Sequence, residues 1–242
     1  MSGIFGKQWT GDPFILFGAA HLLALGIIVV INILAVIWGR KTSDENRKRF
    51  RWALAAVLIV DEFLWHLWNF TTGQWTLQTM LPLHLCSVFV FLSAYMLVTK
   101  SYSIYEYAYF LGIAGATQAL LTPDAGIYGF PHFRAFQVMI SHGAIITASV
   151  FMTLVEGYRP TWQSLKRILI GGNIYMAVVF VFNLLIGSNY LFIAHKPATA
   201  SLMDALPAWP VYIIFIEIIG VVVCLLLYAP FFWSDLRKKG VG

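Results

Sequence analysis

Reactive side chains sit in stretches that are otherwise apolar. The run "MLPLHLCSVFV" (residues 80–90) places Pro82, His84 and Cys86 within five positions. Pro82 suits the first turn of a helix, where its missing N–H is no loss, so Cys86 is expected in or just after that turn. A helix N-terminus carries about half a positive charge, which favours a thiolate. With an imidazole to move its proton, such a thiol can perform acyl transfer through a thioester. His84 lies two residues from Cys86, about 200° around a helix, so it suits substrate binding or oxyanion donation. His142, in "MISHGAII", is the preferred base, and His21, in "GAAHLLA", is a second candidate. Cys224, in "VVVCLLL", reads as a small hydrophobe.

A second chemistry is written in "VDEFLWHLWNF". Glu62, His66 and Asn69 follow i, i+4, i+7 spacing and share one helix face, with Asp61, Trp65 and Trp68 beside them. Glu217 lies in the last apolar block. Ionisable groups inside apolar spans are costly and point to function. The loop "LTPDAGIYGFPHFR" (121–134) adds Asp124, Tyr128, His132 and Arg134, of which Arg134 is a candidate clamp for a phosphate or carboxylate. Two functions therefore compete. One is a membrane acyltransferase or lipid hydrolase using Cys86, His142 and His84. The other is a transporter or receptor whose His21, Asp61, Glu62, His66, Asn69, Arg134 and Glu217 bind a small molecule or ion. The first needs Cys86, and the second tolerates its loss.

The elements that must position these groups are long apolar blocks. The chain has 242 residues, 60% hydrophobic and 11% charged, with mean hydropathy +0.76; a soluble domain carries roughly a quarter charged residues. Seven blocks, at 13–38, 52–70, 81–99, 105–121, 133–155, 167–187 and 208–233, approach the ~20 residues that cross a bilayer. Each is expected to be an α-helix, because hydrocarbon demands internal pairing of the backbone. Thirteen of the sixteen Lys/Arg fall on one side of that arrangement, leaving Lys7, Arg134 and Lys196 on the other. This bias predicts the N-terminus outside and the C-terminus in the cytoplasm. The fold class is thus all-α, a single seven-helix transmembrane domain over 1–242, multi-pass in the cell membrane.

Four of the helices should enter from outside next to Pro13, Pro82, Pro131 and Pro207. Counted inward from these, Cys86 lies about 6 Å deep and His21, Glu217 and His142 about 12–17 Å. The polar set therefore lines the outer half of the bundle. No lysine falls within an apolar block, which excludes a retinal Schiff base. No GxxxxGK[ST] run is present, which excludes an ATP-driven pump. Neither a zinc-type spacing nor a cofactor motif is found, and the net charge of +5 is a topology signal, not one for nucleic acid. The expected partners are the membrane and a phospholipid or other acyl lipid.

Seven blocks in this length, with "LPLHLCS" opening the third and "SHG" inside the fifth, resemble the bacterial YwaF-type (TP0381-like) integral membrane proteins. They are more distantly similar to eukaryotic transmembrane protein 164. The resemblance implies a seven-helix fold and acyl transfer between phospholipids by a Cys/His pair. It also implies more remote kinship with androgen-induced-type fatty-acid-ester hydrolases. The eukaryotic motif has its cysteine directly after the proline, where this chain has Leu83. His84 matches by position, His142 matches the histidine of a later helix, and Cys86 stands three residues beyond the motif position.

Overall fold

The computed structural model describes residues 3–196 and 202–239, and these are all-helical. Eight α-helices form in order: α1 (Ala19–Lys41), α2 (Asp44–Thr71), α3 (Leu85–Thr99), α4 (Tyr102–Tyr107), α5 (Ile113–Leu121), α6 (Phe133–Leu154), α7 (Trp162–Ile186) and α8 (Val211–Lys239). A π-helical turn, Ala108–Gly112, fuses α4 and α5 into one rod, so the described residues form seven rods. Five helices (α1, α2, α6, α7 and α8) are long and apolar enough to cross a membrane, and α3 is a shorter apolar helix.

The helix boundaries follow local capping. Ser43 accepts from Asn46 N at the start of α2, with Asp44 and Glu45 in its first turn. Hence α2 begins eight residues before the expected apolar block, and Arg47–Arg51 ride on its first turns. Lys100 closes α3 in a left-handed conformation, its N–H on Met96 O. Thr161 and Ser164 form a reciprocal capping box on α7, and Gly187 ends that helix at φ 66°.

The prolines differ from expectation. α1, α3, α6 and α8 open at Ala19, Leu85, Phe133 and Val211, two to six residues past Pro13, Pro82, Pro131 and Pro207. Proline fixes φ and lacks a donor, and here it shapes the lead-in turns, while Gly18, His84 and His132 stand at the caps. Helix 3 therefore does not open at Pro82. His84 is its cap and Cys86 its second residue.

α6 is central, buried over most of its length, and packs against α1, α2, α3 and α5. Its Gly143, Ala144, Ala148 and Ser149 permit close approach. A Cβ on Gly143 would stand 3.1 Å from Ile28 of α1, and one on Gly39 of α1 would stand 2.8 Å from Phe151. The main core gathers Leu58, Phe89, Leu97, Phe110, Ile145 and Met152 between α2, α3, the π turn and α6.

The cation-rich helix ends collect at one end of the bundle and are tied there. Arg51 places Nε 3.2 Å from Glu156 and donates to Leu97 O at 2.7 Å. Lys100 pairs with the same Glu156. Arg167 and Ser164 both bind Glu106, and Arg159 bonds Asp235 at 2.5 Å.

At the opposite end, the segment before α1 lies across the bundle. Trp68 Nε1 donates to Phe5 O, Tyr128 Oη to Lys7 O, and Phe133 N to Ile4 O. A Cβ on Gly129 would stand 2.4 Å from Asp12 O, so only glycine admits this crossing.

Candidate functional site

A cluster of polar side chains gathers where helices α2, α3, α5 and α6 pack together. Its α2 side carries Asp61 and Glu62, both buried on the face that also holds Arg51, Ala55 and Leu58. Gln137 of α6 donates to Asp61 Oδ2 at 2.9 Å, and Arg134 donates to Gln137 Oε1 at 2.5 Å. Arg134 also donates to Asp124 O at 2.8 Å, and its guanidinium lies 4.0 Å above the Trp65 ring. This one side chain joins the loop, α2 and α6.

Glu62 belongs to a second chain of contacts. Its Oε1 is 3.5 Å from His66 Nε2, and His66 Nδ1 receives the Trp75 indole N–H at 3.0 Å. An indole nitrogen only donates, so Nδ1 is the acceptor and Nε2 carries the hydrogen facing Glu62. Among the described residues, Asp61 Oδ1 and the two Glu62 oxygens make no hydrogen bond. They are also not among the fully enclosed polar atoms without a partner, which in the described residues are Asn32 Oδ1, Arg51 Nε and Ser93 Oγ. These oxygens are therefore not fully enclosed.

Cys86 is half-buried and unbridged. Its Sγ lies 3.8 Å from where a Cβ would stand on Gly115 of α5, so the bare glycine leaves room beside the thiol. Glu62 is within electrostatic reach of Cys86, and Arg134 of Asp61, Glu62 and His142. His142 donates Nδ1–H to Val138 O at 2.7 Å within its own helix, which leaves Nε2 with its lone pair open. No hydrogen bond joins Cys86 to His142 or to His84.

The remaining candidates disperse. His21 is 1% exposed, accepting from Phe17 N at 3.0 Å through Nδ1 and reaching Leu120 O at 2.8 Å through Nε2. Both nitrogens are committed to backbone, and His21 pins the start of α1 to the end of α5. His84 receives Leu191 N on Nδ1 at 3.3 Å and packs against Tyr190 and Phe192. Asn69 turns back to Trp65 O. Glu217 lies between α7 and α8, accepting from Asn173 at 3.1 Å, apart from the α2 carboxylates.

Two residues escaped sequence reasoning. Gln137 bridges Arg134 and Asp61, and its i+3 spacing from Arg134 on one face is the signal that could have found it. His132 was read only as a polar group at the mouth. It caps α6 by accepting from Arg134 N at 3.1 Å and reaches Gly6 O at 3.0 Å.

A seven-rod, all-helical membrane bundle with a buried polar cluster is the class this fold and site define. The sequence matches the TMEM164 family model over residues 16–228, and the chain belongs to that family. No curated protein and no solved structure matches it.

Proposed function

We propose that the protein is a membrane acyltransferase that moves an acyl chain from a phospholipid or related acyl lipid through a thioester on Cys86. The observation that carries this reading is the position of Cys86. It is a thiol on the first turn of α3, beside the space left by Gly115, in a chain of the TMEM164 family. In this account all seven rods cross the cell membrane with the cation-rich end in the cytoplasm, and the lipid enters from the outer leaflet. Cys86 attacks the ester carbonyl, the ester C–O bond breaks, the lysolipid leaves as its alcohol with the proton the thiol gave up, and the acyl group rests on sulfur. An acceptor hydroxyl then attacks the thioester, its proton passing to His142 Nε2 and from there to the departing sulfur. With water as acceptor the same steps give hydrolysis. His84, at the cap of α3, stands where a lipid oxygen would be bound.

The unbonded oxygens of Asp61 and Glu62 favour a second reading, a cation or proton site of a transporter. Glu217 does not join that pair, which weakens the reading. Mass spectrometry of lipids from vesicles containing a phospholipid with a heavy acyl chain and an unlabelled lysophospholipid separates the two. Acyl exchange lost in Cys86→Ala and kept in Cys224→Ala is the expected result. Exchange that survives Cys86→Ala contradicts the acyl-transfer reading.

A further inference from the structure

Helices α2 and α3 run antiparallel and are pinned at one end by the bond from Arg51 to Leu97 O. Eleven residues separate Arg51 from Glu62, and eleven separate Cys86 from Leu97. At 1.5 Å per residue each interval is about 16 Å, three full turns, so each pair also shares a helix face. The pin therefore brings Glu62 and Cys86 to the same level on facing helices. Glu62 is 4% exposed, with its Oε1 3.5 Å from His66 Nε2. The Trp75 indole fixes His66 in turn.

We propose that Glu62, oriented by His66 and Trp75, is the proton acceptor for Cys86 in the acylation half of the reaction. This rests on the acyl-transfer reading. The thiol proton moves to Glu62 Oε2 as sulfur forms its bond to the ester carbonyl carbon. Collapse breaks the carbon–oxygen bond, and the leaving lysolipid oxygen takes that proton from Glu62. The carboxylate is regenerated and Cys86 is acylated. His142, on α6, acts on the oxygen nucleophile of the second half. The division of labour follows the two walls: α2 faces the sulfur, α6 the acceptor. His66 is a positioning residue, since it lies between Glu62 and the Trp75 indole.

Single-turnover acylation of Cys86 by p-nitrophenyl octanoate, in a Cys224→Ala background, tests this. The nitrophenolate leaving group needs no proton, so the rate reads removal of the thiol proton alone. Glu62→Gln is expected to slow adduct formation by about 100-fold or more, the range for loss of a general base. Glu62→Asp should recover part of the rate. Trp75→Phe keeps the carboxylate and removes only the N–H that holds His66; it should slow acylation several-fold and change its pH profile. His142→Ala should slow transfer of the acyl group to an added alcohol. Parent rates in both Glu62→Gln and Trp75→Phe overturn the proposal while leaving the thioester intact. If Glu62→Gln does not fold, Glu62→Asp and Trp75→Phe decide it: unchanged rate and pH profile in both overturn it. An adduct that persists in Cys86→Ala overturns the acyl-transfer reading instead.

Discussion

His132 holds the mouth of the bundle with two ring nitrogens in different roles. Nδ1 accepts from Arg134 N, and Nε2 donates to Gly6 O. Burial keeps this imidazole below its ordinary range, with the Gly6 bond opposing. A histidine whose folded value is depressed stabilises the fold as the neutral ring. That contribution is complete above the unfolded value of about 6.5 and is lost as pH falls below it. Protonation would also aim an N–H at the Arg134 N–H. Lowering pH from 7.5 to 5 should therefore loosen residues 3–8, read as faster amide exchange there. His132→Gln should show little of that pH dependence; equal pH dependence in both would show that another group governs the strap. Arg134 gives a second residue-scale lesson. Its place among the few outer cations suggested an anion clamp, yet its guanidinium is stacked on Trp65, bonded to Gln137 and Asp124 O, and within reach of the Asp124, Asp61 and Glu62 carboxylates. It serves first as the joint of the polar cluster.

At the scale of elements, helix contacts depend on small residues whose role is readable only in three dimensions. Gly39 meets Phe151 and Val155 across the α1–α6 seam, whereas nothing lies within 4 Å of a Cβ on Gly26. Gly39→Ala should destabilise by about 1–3 kcal/mol through overpacking. Gly26→Ala should be neutral or stabilising, by up to about 1 kcal/mol, through helix propensity. Thermal melting in micelles checks both, and equal shifts would contradict the packing described for this seam. The apolar blocks were legible because hydrocarbon length and backbone pairing leave helices as the solution, and all seven match a rod. The stripe of Glu62, His66 and Asn69 was legible from helical spacing. Helix starts were not, because Pro13, Pro82, Pro131 and Pro207 mark turns two to six residues upstream. Nor was the separation of Glu217 from Asp61 and Glu62: depth along a helix does not reveal which neighbour a face meets. The π turn of Ala108–Gly112 likewise has no period of its own in the chain.

Across the whole molecule the two ends divide the work. One end is locked by ion pairs at Glu156, which two cations share, and at Glu106 and Asp235. The other carries the strap before α1, the Arg134 joint and the polar cluster. The lock at Arg51 sets the register of α2 against α3, and through it the level of Cys86 beside Glu62. A thiol placed there is the centre of the account, and Cys224, fully buried within α8, is its internal control. The most direct measurement is intact-protein mass spectrometry after incubation with defined phospholipids. Parent, Cys86→Ala, Cys224→Ala and His142→Ala proteins would be compared. The account predicts a hydroxylamine-labile acyl adduct that disappears only in Cys86→Ala and persists longer in His142→Ala, where transfer to the acceptor is impaired. An adduct retained in Cys86→Ala, or lost in Cys224→Ala instead, would contradict it.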